Sequence, residues 1–270
     1  MPDTSTASTS FALDSARRIE LAQFLKSRRA RISPARVGLK AGVRRRARGL
    51  LREEVAQLAG ISPTWYVWLE QGRDIHPSRQ VVAQLADALL MSEAERSHLF
   101  ALAQSEDAPA DLSTEATDVL RAFIAGLTNE PAYVVNGVWD LLAWNAAARD
   151  TFGDFSTLPE SERNVLHLIF RWAPWRTLLV DHAQLMPAVA AQFRAETVRH
   201  AGHPRRVELV ESLLASSPEF AALWDAGGVK ASAMYEKRLL HPRRGLVTLN
   251  YGSLKPQGAA EDISVVVYSP

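Results

Sequence analysis

The sequence predicts two domains: a mainly α N-terminal domain of five helices, then an α+β C-terminal domain with an antiparallel sheet. Three observations predict it. Between Glu20 and Ala103, apolar residues recur every three or four positions, separated by helix-stopping and helix-starting residues. In the second half, β-rich runs lie near both ends with helical periodicity between them, the pattern of an α+β domain. Charge is divided along the chain. Arg17, Arg18, Lys26, Arg28, Arg29, Arg31, Arg36, Lys40, Arg44, Arg45, Arg46, Arg48 and Arg52 stand against Glu20 as the single acid of that stretch. The 270 residues carry 31 basic and 30 acidic side chains in all, so the rest of the chain is acidic.

Residues 1–16 are rich in Ser, Thr and Ala and are expected to be a disordered tail. The first helix is expected over Glu20–Arg31, with Leu21, Phe24, Leu25 and Arg28 on its inward face and Lys26 and Arg29 basic outside it. The connector ISPARVGLKAGVRRRARG is longer than a compact helical domain needs, and such connectors are usually functional or disordered. The next two helices lie in LREEVAQLAGISPTWYVWLEQGR, Leu51–Arg73. Leu51, Val55 and Leu58 fall on one face, Ala56 and Ala59 permit close approach, and Gly60 stops the helix by taking positive φ without a Cβ penalty. Ser62 can cap the following helix, and Pro63 loses no hydrogen bond at its first position. Two helices joined by about four residues must cross steeply, which is a helix-turn-helix arrangement. Ile61, Tyr66 and Leu69 are expected to face the first motif helix, leaving Thr64, Trp65, Val67 and Trp68 outside. Glu70 is expected to pair with an arginine of the first helix, with Arg29 favoured.

Pro77 and Ser78 open a helix to about Leu90, with Val81, Val82, Leu85, Ala86 and Leu89 inward. Ser92 and Glu95 form a capping box for a fifth helix ending near Ala103. The domain is therefore placed at 17–104, with 105–113 as linker and 114–270 as the second domain. In that domain a helix over Thr114–Leu127 precedes two β-rich runs flanking Asn136-Gly137, a two-residue hairpin signal. Helices are expected at Leu185–His200, Arg205–Leu214 and Pro218–Trp224, and strands in MYEKRLLHP, GLVTLNYGSL and ISVVVYSP.

The second helix of the motif, next to so basic a segment, has the character of a DNA reader. Arg44, Arg45, Arg46 and Arg48 can follow phosphates or enter a minor groove, and Arg52 and Arg73 flank the motif. Pro63, Thr64, Trp65 and Trp68 make up the reading surface, since apolar side chains contact thymine methyl groups in the major groove. The bland alternative has Trp65 and Trp68 packed within the protein and the arginines solvated. No cysteine is present, which excludes disulfides and thiolate ligands. His167, His182, His200 and His203 lack a metal-ligand pattern, and no G-x-S-x-G or phosphate loop occurs, so neither a metal site nor a catalytic residue is expected. No apolar run is long enough to span a bilayer, and a cytoplasmic location is expected.

LREEVAQLAGIS, WYVWLEQGR, PSRQVVAQLADAL and AERSHLFALA, taken in order, resemble XRE-type helix-turn-helix regulators of the MmyB-like group. WDLLAWN, RNVLHLIF, SPEFAALW and HPRRGLVTLNYGSL extend the resemblance to the C-terminus. It implies a PAS-like second domain that binds a fatty acid or similar apolar ligand, with no required cofactor. The residues put forward for the ligand pocket are Trp139, Trp144, Asn145, Asn164, His167, Phe170 and His241. It also implies a transcription regulator acting on double-stranded DNA as a homodimer. Leu51 and Trp68 depart from the group, which usually carries arginine at both positions. Trp68 keeps open a second reading, a ligand-binding protein or enzyme with a vestigial motif. A third reading gives the C-terminal domain a dimerisation role alone.

Overall fold

The computed structural model describes residues 4–39, 49–104, 112–229 and 236–270. The chain falls into two compact units. One comprises Met1–Ala110 with Arg194–Glu208 and Ala222–Ala231, the other Asp111–Phe193, Leu209–Ala221 and Ser232–Pro270. Two segments from late in the sequence thus join the N-terminal unit, where a single division at 105–113 had been expected.

In the first unit, α1 spans Thr4–Arg31, α2 Arg52–Leu58, α3 Pro63–Glu70, α4 Arg79–Ala88 and α5 Glu93–Gln104, with a 3-10 turn at Pro34–Val37. Helix α1 begins at Thr4, within the stretch expected to be a tail. Neither glycine nor proline interrupts the chain between Asp3 and Ser33, so nothing local breaks the helix. Leu21, Phe24, Leu25 and Arg28 are all buried on α1, as their spacing predicts. They meet Leu50, Val55, Ala56, Tyr66, Leu69, Val82, Leu85 and Leu99 in one core.

The inward face of α2 differs from the expectation. Leu51 and Leu58 are 42% and 39% exposed, and the buried arc is Val55, Ala56 and Ala59. Leu51 lies outside the helix in extended geometry, at φ −77 and ψ 159. At roughly 100° per residue, position 58 sits more than a quarter-turn away from the centre of the buried arc. Gly60, at φ +65, stops α2, and Ser62 accepts from the Trp65 amide at 3.1 Å to start α3. Ser92 and Glu95 make the predicted reciprocal box, with Ser92 N donating to Glu95 at 2.8 Å and Glu95 N to Ser92 Oγ at 3.4 Å. Gly49 is required for close approach, because a Cβ there would lie 2.5 Å from backbone oxygens of Arg29 and Ala30.

Buried charge in this unit is matched by opposite charge. Glu20 accepts from Arg206 at 2.7 and 3.0 Å and from Arg194 at 3.5 Å. Burial would raise the Glu20 carboxyl, but the two guanidiniums outweigh it and bring it down to about 2. Arg206 also donates to Thr197 Oγ1 at 2.8 Å. Arg194 lies 3.7 Å from the centre of the Trp224 ring and donates to the Trp224 carbonyl at 2.6 Å. Arg28 pairs with Glu95 and with the Gly227 carbonyl. His98 is buried edge-on to Phe24 at 4.8 Å, and neither ring nitrogen has a hydrogen-bond partner among the described residues. Burial holds it neutral, its pKa down to about 3.

In the second unit, α6 (Asp118–Gly126) precedes β1 (Ala132–Val135) and β2 (Leu141–Trp144). Helices α7 (Ala146–Phe152), α8 (Val165–Phe170) and α9 (Ala173–Leu178) follow, then α10 (His182–Glu196), α11 (Pro204–Ser216) and α12 (Pro218–Asp225), whose residues are divided between the two units. Strands β3 (Glu236–His241), β4 (Gly245–Leu254) and β5 (Ser264–Ser269) close the chain. The sheet order is β2-β1-β5-β4-β3, antiparallel throughout. The fold is thus an α+β PAS-like domain after a helical one, as predicted. One face of the sheet packs Ala132, Val134, Ala143 and Val265 against Leu120 and Ile124 of α6.

The hairpin is wider than Asn136-Gly137 suggests. Strand pairing resumes at Val135 with Leu141, past a bulge, and the Asn136 side chain accepts from the Val138 and Asp140 amides at 3.1 and 3.0 Å. The positive φ falls on Trp139, at 69°, a conformation rarely taken by a bulky residue. The side-chain bonds of Asn136 build a turn of their own and override the two-residue signal.

Candidate functional sites

The exposed end of α3 is built from its cap outward. Pro63 and Thr64 are exposed in its first turn, Trp65 is half-buried against the core, and Trp68 is 36% exposed one turn further on. The other end is fixed. Glu70 is fully buried and accepts from Arg29 Nε at 2.6 Å and Arg29 Nη2 at 3.2 Å, a bidentate grip, and from Arg52 Nε at 2.6 Å. Burial would raise this carboxyl, and the hydrogen bonds from Arg29 and Arg52 instead hold it below its ordinary range. The predicted Arg29–Glu70 pair is thus present. Arg52, put forward as a phosphate contact, has its Nε on Glu70 while its side chain stays half-exposed.

Arg73 places its guanidinium 5.5 Å from the Trp68 ring centre and donates through Nε to Gln71 at 2.8 Å. A positive group therefore reaches the surface beside Trp68 although position 68 is not arginine. Arg44, Arg45, Arg46 and Arg48 lie outside the described residues.

In the second unit, three of the polar residues named for a pocket are committed to the frame. Asn145 caps α7 by accepting from Ala148 N at 2.8 Å and donates to the carbonyls of Ile124, Leu127 and Glu130 at 3.1, 2.7 and 2.9 Å. Asn164 caps α8 and donates to Val138 O and Asp140 Oδ1, each at 2.8 Å. His241 ends β3, with Nε2 2.9 Å from Asp150 O and Nδ1 accepting from the Arg243 and Arg244 amides at 3.2 and 3.1 Å. Of the aromatic candidates, Trp139 meets Phe193 edge-on at 5.2 Å, Trp144 meets Phe155 at 5.5 Å, and Phe170 meets Phe220 at 5.0 Å. His167 lies 3.9 Å from Glu162. The seven residues thus serve several separate packing and capping arrangements.

A residue not singled out in the sequence occupies the sheet face opposite α6. Alternation along β3 turns Lys237, Leu239 and His241 inward. Lys237 Nζ donates to Tyr268 Oη at 2.8 Å, and Tyr268 Oη lies 2.9 Å from Tyr133 Oη. The rings of Trp175, Tyr251 and Tyr268 stand 5.5, 5.3 and 5.1 Å from Nζ. Among the described residues no carboxylate pairs with this ammonium. Burial pushes Lys237 down to about 8 and raises the Tyr133 phenol well above its ordinary value. The signal was in the strand's alternation, which puts a lysine in phase with Leu239.

Residues 20–99 match a helix-turn-helix domain, and residues 116–270 match the MmyB-like transcription regulator ligand binding domain. A chain so built is a DNA-binding transcription regulator with a ligand-binding domain. It belongs to the MmyB-like regulators, whose ligand-domain match covers more than half of it. No curated protein matches the chain. Among the described residues no helix is long and apolar enough to cross a membrane, and no cluster of His, Asp and Glu is suited to hold a metal ion.

Proposed function

We propose that the protein is a sequence-specific, XRE-type regulator that acts as a homodimer in the cytoplasm and is controlled by an apolar small molecule, such as a fatty acid, in its C-terminal domain. Helix α3 enters the major groove with Pro63 and Thr64 leading and Trp68 following, while Arg44, Arg45, Arg46, Arg48 and Arg73 supply positive charge to phosphates. The observation that carries this reading is the contrast along α3: Glu70 is buried under two arginines while Thr64 and Trp68 face solvent. A helix held at one end and exposed at the other presents side chains in a fixed register, which base reading requires. Two copies related by a two-fold axis would read half-sites about 34–36 Å apart. The ligand shifts DNA affinity by preferring one arrangement of the dimer.

Fluorescence anisotropy on an operator selected from randomised duplexes tests each part. Arg45→Ala and Arg46→Ala should weaken binding to every sequence and lower the salt slope by about 1 each, whereas Trp68→Ala should change sequence preference. No binding even at low salt overturns the DNA reading. Unchanged DNA affinity across a saturating series of fatty acids overturns fatty-acid control.

A further inference from the structure

The ammonium of Lys237 is buried with no counter-charge among the described residues. It is 9% exposed on the sheet face opposite α6 and has one hydroxyl partner, Tyr268 Oη at 2.8 Å. An ammonium carries three donors, and among the described residues this one faces no anion. Ring faces at 5.1–5.5 Å offer weak compensation. Its neighbours on this face include Leu239, Tyr133, Tyr268 and Phe152, which meets Tyr268 edge-on at 4.8 Å, while His241, further along β3, is engaged by the Asp150 carbonyl. A buried charge ordinarily requires a matching charge or loses its proton.

We propose that Lys237 is the anchor for the anionic end of the regulator's ligand, a carboxylate on an otherwise apolar molecule, with the Tyr268 and Tyr133 hydroxyls completing its hydrogen bonds. This rests on the reading of the domain as a site for an apolar small molecule such as a fatty acid, and assigns the side chain that holds its acid end. One positive charge flanked by two phenols matches a singly charged carboxylate; a phosphate monoester, with nearly two charges, would be half neutralised. The chemistry separates two roles on one sheet face: aromatic surface holds the apolar body, and Lys237 selects acid over alcohol. Specificity of this kind is large, because a neutral analogue leaves the charged group without its partner.

Isothermal titration of the full chain with dodecanoate and with dodecan-1-ol tests the anchor. The unaltered protein should bind the acid about 10- to 100-fold more tightly, the range for one hydrogen bond to a charged group. Lys237→Met should bring the acid to the level of the alcohol, and Lys237→Gln, which keeps a donor toward Tyr268, should do the same should the methionine variant fail to fold. Equal affinity for acid and alcohol in the unaltered chain overturns the anchor while the apolar-ligand reading stands. A preference for the acid that survives both substitutions also overturns it. Binding of neither compound overturns the apolar-ligand reading and the anchor with it.

Discussion

The two units treat buried charge in opposite ways. In the helical unit, Glu20 and Glu70 lie inside and each is gripped by two arginines. In the sheet unit, Lys237 is as deeply placed and meets a single phenol hydroxyl. Matched charges fix geometry, since each hydrogen bond constrains both partners, and their removal strands the survivors. A charge with no counter-ion among the described residues contributes little to the fold and is available to recognise something outside it. Rigidity suits a helix that must present a register, and an unpaired cation suits a domain that must answer to a ligand.

The largest test of the contrast is Glu20→Ala, which leaves Arg194 and Arg206 buried without their anion. It should cost about 3–5 kcal/mol in urea unfolding. The folded pKa of Glu20, about 2, lies below its ordinary 4.5, so its contribution is complete above pH 4.5 and is lost as pH falls toward 2. Glu70→Ala should cost about 2–3 kcal/mol, whereas Arg52→Ala, at a half-exposed partner, should cost less than about 1 kcal/mol. Equal costs for these two would show that Arg29 is not the main holder of Glu70.

His98 sharpens the comparison on the same axis. Buried neutral at about 3 against an ordinary 6.5, it binds a proton in the unfolded chain first, so stability should fall as pH drops below 6.5. His98→Leu should remove on the order of 2 kcal/mol of that loss at pH 4.5, measured by unfolding across pH. Lys237→Met should act in the opposite direction, raising stability by about 1 kcal/mol in the ligand-free protein. Because Lys237 is lowered to about 8 from 10.5, the unaltered chain should gain stability from pH 8 toward 10, and the methionine variant should not. A destabilised Lys237→Met would break the contrast at its centre. The smallest effect is expected at Thr64→Ala: no change in thermal midpoint, and about 1 kcal/mol less discrimination at one base pair.

Much of the helical unit was legible because its signals are local. Gly60, Ser62 and the Ser92–Glu95 pair each determine conformation within four residues, and Leu21, Phe24 and Leu25 announce one face by spacing alone. The Arg29–Glu70 pair crosses 41 residues and still emerged, since a glutamate at the end of a motif helix invites a partner on the neighbouring helix. Arg206 and Arg194 lie 186 and 174 residues from Glu20, and no periodicity marks them as its partners. The family resemblance puts Asn145 and Asn164 forward for a ligand pocket, whereas their use as caps depends on carbonyls brought in from other turns. Leu51 and Leu58 show the limit of a spacing rule, which gives the period of a helix but not where it begins.

The grip on Glu70 has a consequence for how such a regulator can change. Stability is concentrated at the buried end of α3, and Pro63, Thr64 and Trp68 at the exposed surface add little to it. On the proposed reading of this surface, substitutions there explore new target sequences without first weakening the scaffold. The fold thereby separates the inheritance of a binding posture from the inheritance of a binding site, and Trp68, with Arg73 lodged against its ring, is where lineages sharing this frame can diverge.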